Sequence, residues 1–220
     1  MREPFKTLFE DDYLIVVNKI AKVLIQASKK QEKNTLTSLL CRHLGYTVFP
    51  CHRLDRETTG LVIYAKSLEL QKKIMDQFRR REVKKKYIAF VKGNLKKRNG
   101  VWEGKIIDRQ GEKFSEKSKY AKTFYRVLKD FLGWSILELS PVTGRTNQLR
   151  IQSAKVNHPI LGEDKYAFRR DFKIKSKRLS LHAFYVSFIH PISRQKVTLE
   201  IDLALDMQEF LRFFQKDGII

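Results

Sequence analysis

The sequence predicts an α+β fold with a mixed, largely antiparallel sheet and flanking helices. Short runs of strand character outnumber the helical segments, and they show no regular strand–helix–strand rhythm. No Gly-rich dinucleotide-binding or phosphate-binding motif is present, so the pattern indicates no nucleotide cofactor. With 220 residues and 42% hydrophobic content, the chain can bury one sizeable core or two closely packed lobes. We expect a single domain over residues 1–220.

The strands come first from apolar or alternating runs bounded by turn residues. Tyr87–Val91 alternates in hydrophobicity, and residues 93–100 form a basic turn after it. A late pair of strands is joined through His190-Pro191. The predicted strands are residues 13–17, 61–65, 87–91, 101–107, 119–128, 134–139, 181–189 and 196–201.

Four helices follow from capping residues and 3.6-residue periodicity. The first is capped by Asn34 or Thr35 and ends before Gly45. The third follows Gly144, and the fourth covers residues 207–214. The second helix is capped by Ser67 and carries one apolar face, which consists of Leu70, Ile74, Met75 and Phe78.

The chain is strongly basic. Lys and Arg number 45 against 24 Asp and Glu, which gives a net charge of +21. Such a charge indicates a polyanionic partner, which could be RNA, DNA or an anionic membrane, although it can also serve solubility alone. The basic residues concentrate in residues 79–86 and 165–178, where neighbouring aromatic side chains suit stacking on nucleobases.

Several classes of protein do not fit the composition. No apolar run approaches the ~20 residues of a membrane span, and no secretory signal is present. Two cysteines and five histidines are not spaced as zinc ligands, so we expect no metal site. The cysteines read as buried, reduced thiols, which fits the cytoplasm.

The most informative segment is Cys51–Lys66, in which Asp55 stands between Arg53 and Arg56. Neighbouring guanidinium groups keep a carboxylate ionised near neutral pH. A solvated ion pair on a loop would explain Asp55 equally well. The turn formers that follow place Asp55 on a loop at the entrance to a strand, where catalytic residues are often found.

Two further segments carry candidate residues. Pro141–Arg150 contains a turn and a helix start with Arg145 and Arg150, which could also be an ordinary phosphate-contacting helix N-terminus. Lys86–Gly93 carries Tyr87 on one face of a strand, where a tyrosine is often only a core residue.

Together these segments resemble the RluA-type pseudouridine synthases over nearly the whole chain. The family motif His-Arg-Leu-Asp-x-x-Thr-Ser-Gly-Leu resembles residues 52–61, and Lys-x-Tyr-x-Ala-x-Val-x-Gly resembles residues 85–93. Thr-Gly-Arg-x-His-Gln-Leu-Arg and the later Gly-His-Pro-Ile-x-Gly-Asp resemble residues 143–150 and 157–164. Leu-His-Ala and His-Pro recur at residues 181–183 and 190–191.

The resemblance implies the fold of that family, with a central basic active-site cleft. It implies an RNA isomerase that converts uridine in ribosomal or transfer RNA to pseudouridine without a cofactor. Asp55 carries over as the nucleophile, Tyr87 as the residue against the target base and Arg150 as the ion-pair partner of Asp55. Arg53 resembles the arginine that fills the space of the extruded nucleotide, and Arg145 and Gln148 resemble support for the active-site loop.

We expect RNA contacts from a larger basic and polar set: Arg53, Arg56, Arg79, Arg80, Lys84, Lys86, Arg145 and Gln148. The expected protein is a monomer with no protein partner and no contact with a membrane. The small N-terminal S4-like RNA-binding module that many relatives carry is expected to be absent.

Besides Thr59 in place of the Ser of the first motif, the sequence departs from the family at five positions. Ile20 and Lys22 replace a Pro and a Gly, and Asn147 and Gln152 stand where His is usual. Glu163 reads as an insertion between Gly162 and Asp164.

Two other functions are alternatives to the RNA isomerase. A non-catalytic RNA-binding or RNA-chaperone protein would share the basic scaffold, although it has no use for a carboxylate in its groove. An Asp-dependent nucleoside hydrolase needs a second carboxylate for acid–base work, and we find no carboxylate paired with Asp55 in the sequence.

Overall fold

The computed structural model describes residues 4–27, 32–107, 118–167 and 172–216. The chain forms two compact units. One consists of Met1–Lys84 with Ala183–Ala204, and the other of Lys85–His182 with Leu205–Ile220. The basic run at residues 165–178 lies partly outside the described residues.

The first unit is a largely antiparallel sheet with two helices. Its strands are β1 (Phe5–Glu10), β2 (Leu14–Lys19), β3 (Phe49–Pro50), β4 (Thr59–Ala65), β9 (Leu181–Ile189, which enters from the second unit) and β10 (Lys196–Glu200). They are ordered β1-β2-β4-β9, with β3 beside β4 and β10 beside β9. The helices are α1 (Leu36–Leu44) and α2 (Leu68–Arg79).

Both helices of this unit begin where the sequence predicts, and α1 also ends at the predicted position. The Thr35 side chain caps α1, and Gly45 ends it with a left-handed φ of 78°. Ser67 caps α2 by accepting a hydrogen bond from the Leu70 N–H. The core beneath α2 is formed by Leu14, Val16, Leu61, Ile63, Leu70, Ile74, Val83, Val186 and Phe188.

The buried face of α2 differs from the prediction at two residues. Met75 is 45% exposed, whereas Gln77 is 5% exposed. The Gln77 amide donates to the Ile189 carbonyl at 2.7 Å and accepts from the Ile189 N–H at 2.9 Å. A glutamine therefore takes a core-facing position because it satisfies both backbone groups at the end of β9.

The second unit is built on an antiparallel sheet of order β5-β8-β7-β6. Its strands are β5 (Lys84–Lys92), β6 (Asn99–Ile106), β7 (Lys119–Phe131) and β8 (Trp134–Pro141). Its helices are α3 (Gln148–Lys155) and α4 (Leu205–Lys216). Trp134 is fully buried and lies within ring-contact distance of Phe90, Phe131, Phe210 and Phe214, so α4 packs on an aromatic cluster.

The α+β class and the largely antiparallel sheet are confirmed. The strand prediction did not include β1 or β3. β1 has only one buried residue, and β3 has two residues, so neither produces a strong hydrophobic pattern. Within the described part of the chain, no helix is long and apolar enough to cross a membrane.

Candidate active site

The loop of Asp55 leads directly into β4 in the first unit. Asp55 is half-buried, and its carbonyl accepts a hydrogen bond from the Thr58 N–H at 3.1 Å. The His52 ring accepts from the Ile63 N–H at 3.1 Å through Nε2. These contacts hold the loop at the strand entrance, as the sequence predicts.

Gly60, the second residue of β4, is required by the close approach of the neighbouring strand. A Cβ at position 60 would lie 2.2 Å from the Ala183 carbonyl oxygen, and the φ of Gly60 is 118°. Only glycine allows β4 to approach β9 this closely.

A buried lysine fixes the other side of the Asp55 loop. Lys19 is 0% exposed, and its ammonium donates to the carbonyls of Ile20 (2.8 Å), Val23 (2.8 Å) and Arg56 (3.1 Å). A buried ammonium is tolerated when its N–H groups are hydrogen-bonded. Lys19 therefore ties the segment after β2 to the residue that follows Asp55.

Lys22 shows how the chain adapts to one of its departures from the family. Lys22 takes the left-handed φ of 67° that a glycine adopts without cost. Its N–H donates to the Arg56 carbonyl at 2.8 Å, and its own carbonyl accepts from Arg56 Nε at 3.3 Å. The Asp55 loop thus keeps its support although the glycine is missing.

We expect Lys22→Gly to raise the free energy of unfolding by about 0.5–1 kcal/mol, because it relieves the left-handed strain of a residue with a Cβ. Urea denaturation of both proteins measures the change. Lys22→Ala is the control, since it removes the side chain and keeps the Cβ. An equal gain from alanine would show that charge, and not backbone strain, is responsible.

Of the two arginines beside Asp55, only Arg56 has a hydrogen bond from its side chain within the described ranges, the one to Lys22. Arg53 is exposed, and its side chain makes no hydrogen bond or ion pair with the residues that the structure covers. Arg53 is therefore available to an external group.

In the second unit, Tyr87 lies on β5 opposite Leu139 of β8 and is 7% exposed. Lys85 precedes it by two positions, so both side chains point to the same face of the strand. Burial lowers the pKa of Lys85 to about 8. A Cβ on Gly144 would lie 3.9 Å from the Lys85 Nζ, so this amine lies beside the loop that leads to α3.

Lys85 was not among the predicted site residues. The sequence does contain a signal for Lys85, because it is the first residue of the Lys-x-Tyr element. Its two neighbours, Lys84 and Lys86, were predicted to contact RNA instead.

Arg150 on α3 is held by a buried carboxylate. Its Nε and Nη2 each donate to Glu163 at 2.7 Å, in a two-point pair whose side chains are 11% and 0% exposed. Asp164 lies farther away at 3.5 Å and is 59% exposed. The guanidinium also lies 5.4 Å from the ring centre of Tyr166. Arg150 is therefore fixed in one orientation.

Glu163 is ionised in spite of its burial. Burial raises the pKa of Glu163, but the hydrogen bonds and charge of Arg150 outweigh this effect, and the net pKa lies below the ordinary value. The backbone N–H groups of Asp164 (3.1 Å), Lys165 (2.8 Å) and Tyr166 (3.1 Å) also donate to its Oε1.

The interpretation of Glu163 as an insertion is wrong. Counted from His158-Pro159, Glu163 occupies the position of the Asp in the family's Gly-His-Pro-Ile-x-Gly-Asp pattern. It is Glu163 that makes the buried pair with Arg150, and Asp164 is its exposed neighbour. This position therefore carries a substitution of Asp by Glu.

A buried polar network positions the loop before α3. The Gln148 Oε1 accepts from Thr143 Oγ1 at 2.7 Å and from the Arg145 N–H at 3.0 Å, and its Nε2 donates to the Lys122 carbonyl at 3.2 Å. Gln148 is 4% exposed. Its amide thus supports the loop from within.

Gln152, at the second of the usual His positions, continues this network. Its Nε2 donates to the Trp102 carbonyl at 2.9 Å, and its Oε1 accepts from Thr123 Oγ1 at 2.6 Å. Asn147 precedes α3 with a left-handed φ of 52°. Arg145 remains exposed and donates from Nε to the Tyr120 carbonyl at 3.1 Å.

The remaining predicted RNA contacts lie on the surface. Arg79 pairs with Asp76, and Arg80 pairs with Glu82 at 3.1 Å. Lys84 donates to the Arg81 carbonyl at 3.3 Å, and Lys86 lies 3.5 Å from Glu138. Exposed pairs of this kind are weak and can exchange for phosphate, so these contacts stay predictions.

Similarity to known proteins identifies the family of this chain. A family model described as RNA pseudouridylate synthase matches residues 13–155. The chain belongs to this family. The tRNA pseudouridine synthase C of Haemophilus ducreyi is 34% identical, with 94% of each chain covered. The ribosomal large subunit pseudouridine synthase D of Nitrosomonas europaea is 34% identical over 95% of this chain, which spans 65% of that relative's length.

A solved structure agrees with the sequence comparison. Human RNA Pseudouridylate Synthase Domain Containing 4 aligns with a TM-score of 0.77 and 25% identity, covering 95% of this chain and 92% of that one. Pseudouridylate synthases isomerise uridine in RNA, so the chain is an enzyme of the isomerase class.

Within this synthase, Asp55 belongs to the first unit and Tyr87 and Arg150 to the second. The pairing of Asp55 with Arg150 therefore stays a prediction. Among the residues that the structure covers, no group of three or more His, Cys, Asp or Glu side chains could hold a metal ion. Cys41 and Cys51 are both free, and burial raises the pKa of Cys51 to about 12.

Proposed function

We propose that this synthase isomerises a uridine of ribosomal or transfer RNA, with the Asp55 carboxylate as the nucleophile. The observation that carries the proposal is the fixed loop of Asp55: His52 and Lys19 hold both of its ends, and the family's Asp motif stands on it. The named activities of the two curated relatives support both RNA classes as targets.

The reaction first requires the target nucleotide to leave the RNA stack, which costs a few kcal/mol. Contacts between phosphates and basic side chains offset this cost. We propose that Arg53 fills the vacated position, because its exposed guanidinium has no partner in the described residues.

Asp55 then acts on the nucleoside, either by attack on C1′ or by removal of a sugar proton to give a glycal. The N1–C1′ bond breaks, and the uracil turns in its pocket. A C5–C1′ bond then forms as the Asp55–C1′ ester bond breaks on the first route, or as the proton returns to the sugar on the second. The C5 proton leaves and N1 gains a proton, so the overall change is an isomerisation that needs no cofactor.

Arg150 keeps Asp55 ionised in this proposal. A guanidinium carries five N–H groups, and the paired contacts with Glu163 occupy two of them. Nη1 also donates to Asn147 Oδ1 at 3.4 Å, and Nη2 to Asp164 Oδ1 at 3.5 Å. We propose that the same guanidinium also orients the Asp55 carboxylate. Glu163 thus acts as a positioning residue for Arg150.

Tyr87 forms the wall against the uracil. We expect Tyr87→Phe to bind RNA with unchanged affinity and to lower kcat by about tenfold or more, because the phenol contributes to proton transfer at C5. Single-turnover kinetics on the same RNA measures this step. Equal rates for the two enzymes would remove the phenol from the chemistry.

The activity is tested with RNA labelled with tritium at C5 of uridine. Isomerisation releases this tritium to water, whereas an RNA chaperone releases none. Release from transfer RNA or ribosomal RNA transcripts would also identify the RNA class. Absence of release from both would contradict the proposal.

We also propose a cytoplasmic location, which the free thiols support. The monomeric state, the lack of a protein partner and the single domain over residues 1–220 stay predictions.

A further inference from the structure

The segment that follows α2 carries a run of basic residues with different environments. Arg79 and Arg80 are each paired with a nearby acid, Asp76 and Glu82. The next residue, Arg81, is exposed, and its guanidinium makes no hydrogen bond or ion pair with any residue in the described ranges. Of these three arginines, Arg81 is therefore the one whose guanidinium has no acidic partner among the described residues.

Arg81 has an unfavourable backbone for its residue type. Its φ is 62°, in the left-handed region. The Arg81 N–H donates to the Phe78 carbonyl at 3.1 Å, and the Glu82 N–H donates to the Gln77 carbonyl at 2.9 Å. This is the end of a helix, where glycine is the usual residue. An arginine in this left-handed conformation destabilises the fold relative to glycine. No contact of the Arg81 side chain with the described residues offsets that cost.

The position is nevertheless rigid. Gln77, four residues earlier, is clamped to Ile189 by two hydrogen bonds, and Val83, two residues later, is buried in the core. The Lys84 ammonium lies 3.3 Å from the Arg81 carbonyl oxygen. The Lys84 ammonium is therefore held against the backbone of Arg81, on a turn that is anchored at both ends.

We propose that Arg81 and Lys84 bind a phosphate group of the RNA backbone, away from the reacting nucleotide. A planar guanidinium forms two hydrogen bonds to a phosphate, and the adjacent ammonium adds a point charge. The net charge of +21 favours a polyanion over an acidic protein segment as the partner. The proposal rests on the RNA synthase function proposed above.

The test uses a fluorescently labelled RNA hairpin, because backbone contacts need no particular sequence. Its Kd is measured at KCl concentrations from about 50 to about 200 mM. For Arg81→Gly we expect binding weaker by roughly three- to tenfold and a slope of log Kd against log salt lower by about one. The same variant should melt about 1–3 °C higher than the wild type, since the backbone strain is relieved.

Three matched variants separate the two effects. Arg81→Ala should lose the same affinity without the gain in Tm, and Arg81→Lys should keep most of the salt slope. Lys72→Ala removes an exposed positive charge from α2, the helix that precedes Arg81, and should change neither quantity. A higher Tm with unchanged RNA affinity in Arg81→Gly would show that Arg81 only ends the helix, and would overturn the proposal.

Tritium release by the wild type is measured on the same preparations. Release by the wild type together with unchanged RNA binding by Arg81→Gly contradicts the phosphate site alone. If the wild type binds the hairpin but releases no tritium from any RNA, the synthase function is wrong. The RNA affinity and the salt slope of Arg81→Gly then still decide whether the phosphate site exists. If Arg81→Gly loses binding to phosphatidylglycerol vesicles but keeps the RNA affinity of the wild type, Arg81 and Lys84 belong to a membrane-binding surface. That result would overturn the proposal.

Discussion

Asp55→Asn abolishes pseudouridine formation, with a fall in rate of at least about a thousandfold, while RNA binding persists. The amide keeps the shape of the side chain and cannot act as a nucleophile or a base. Since the change removes a negative charge next to RNA phosphates, Kd should stay equal or become slightly tighter. Tritium release and hairpin binding measure the two quantities on one preparation.

Glu57→Gln is the matched control for this prediction. Glu57 stands two residues from Asp55 in the same turn and is half-buried. If charge in this loop were the cause, both variants would lose activity. If Asp55→Asn kept near-normal turnover on its RNA, the assigned nucleophile would be wrong.

Glu163→Ala lowers the free energy of unfolding by roughly 3–5 kcal/mol, because it leaves the Arg150 charge buried without its main partner. Activity should fall even at temperatures where the variant is folded, since Arg150 loses its fixed orientation. Urea denaturation and single-turnover rates give the two results.

Asp164→Asn provides the control for the buried pair. It removes the exposed neighbour, 3.5 Å from Arg150, and should change stability by less than about 0.5 kcal/mol. Similar losses from both variants would mean that burial does not decide the strength of the pair.

The Glu163 contribution also depends on pH. The pKa of Glu163 is lower in the folded protein than its ordinary value of 4.5. Its contribution to stability is therefore complete above about pH 4.5 and declines as the pH falls through the folded-state pKa. In Glu163→Gln this part of the acid sensitivity should disappear.

Local signals predicted much of the fold. Thr35 and Ser67 cap the starts of α1 and α2 with their side chains, and Gly45 ends α1 because of its backbone freedom. The alternating run in β5 forms a strand. These features depend on a few neighbouring residues, so a single sequence contains them.

Features that depend on distant residues were not predictable in this way. The inward position of Gln77 depends on Ile189, 112 residues later, and the orientation of Arg150 depends on Glu163. Neither partner can be chosen by periodicity, because a buried polar side chain is accepted wherever the fold supplies a matching group. The low pKa of Lys85 likewise arises from burial in the folded chain.

The sequence contains a signal for Glu163 that it does not contain for Gln77. Its place directly after Gly162 matches the acidic position of the family pattern, and only the adjacent Asp164 suggested an insertion. Two acids in succession cannot be told apart by sequence when one of them is to be buried. The three-dimensional pairing with Arg150 decides between them.

The central claim is that Asp55 makes this chain an RNA pseudouridine synthase. The most direct measurement maps pseudouridine in total RNA from a strain with this gene, from its deletion, and from deletions that carry wild-type or Asp55→Ala copies. We predict at least one uridine whose modification is lost on deletion, restored by the wild-type copy and not restored by Asp55→Ala. Restoration by Asp55→Ala, or an unchanged map after deletion, would contradict the account.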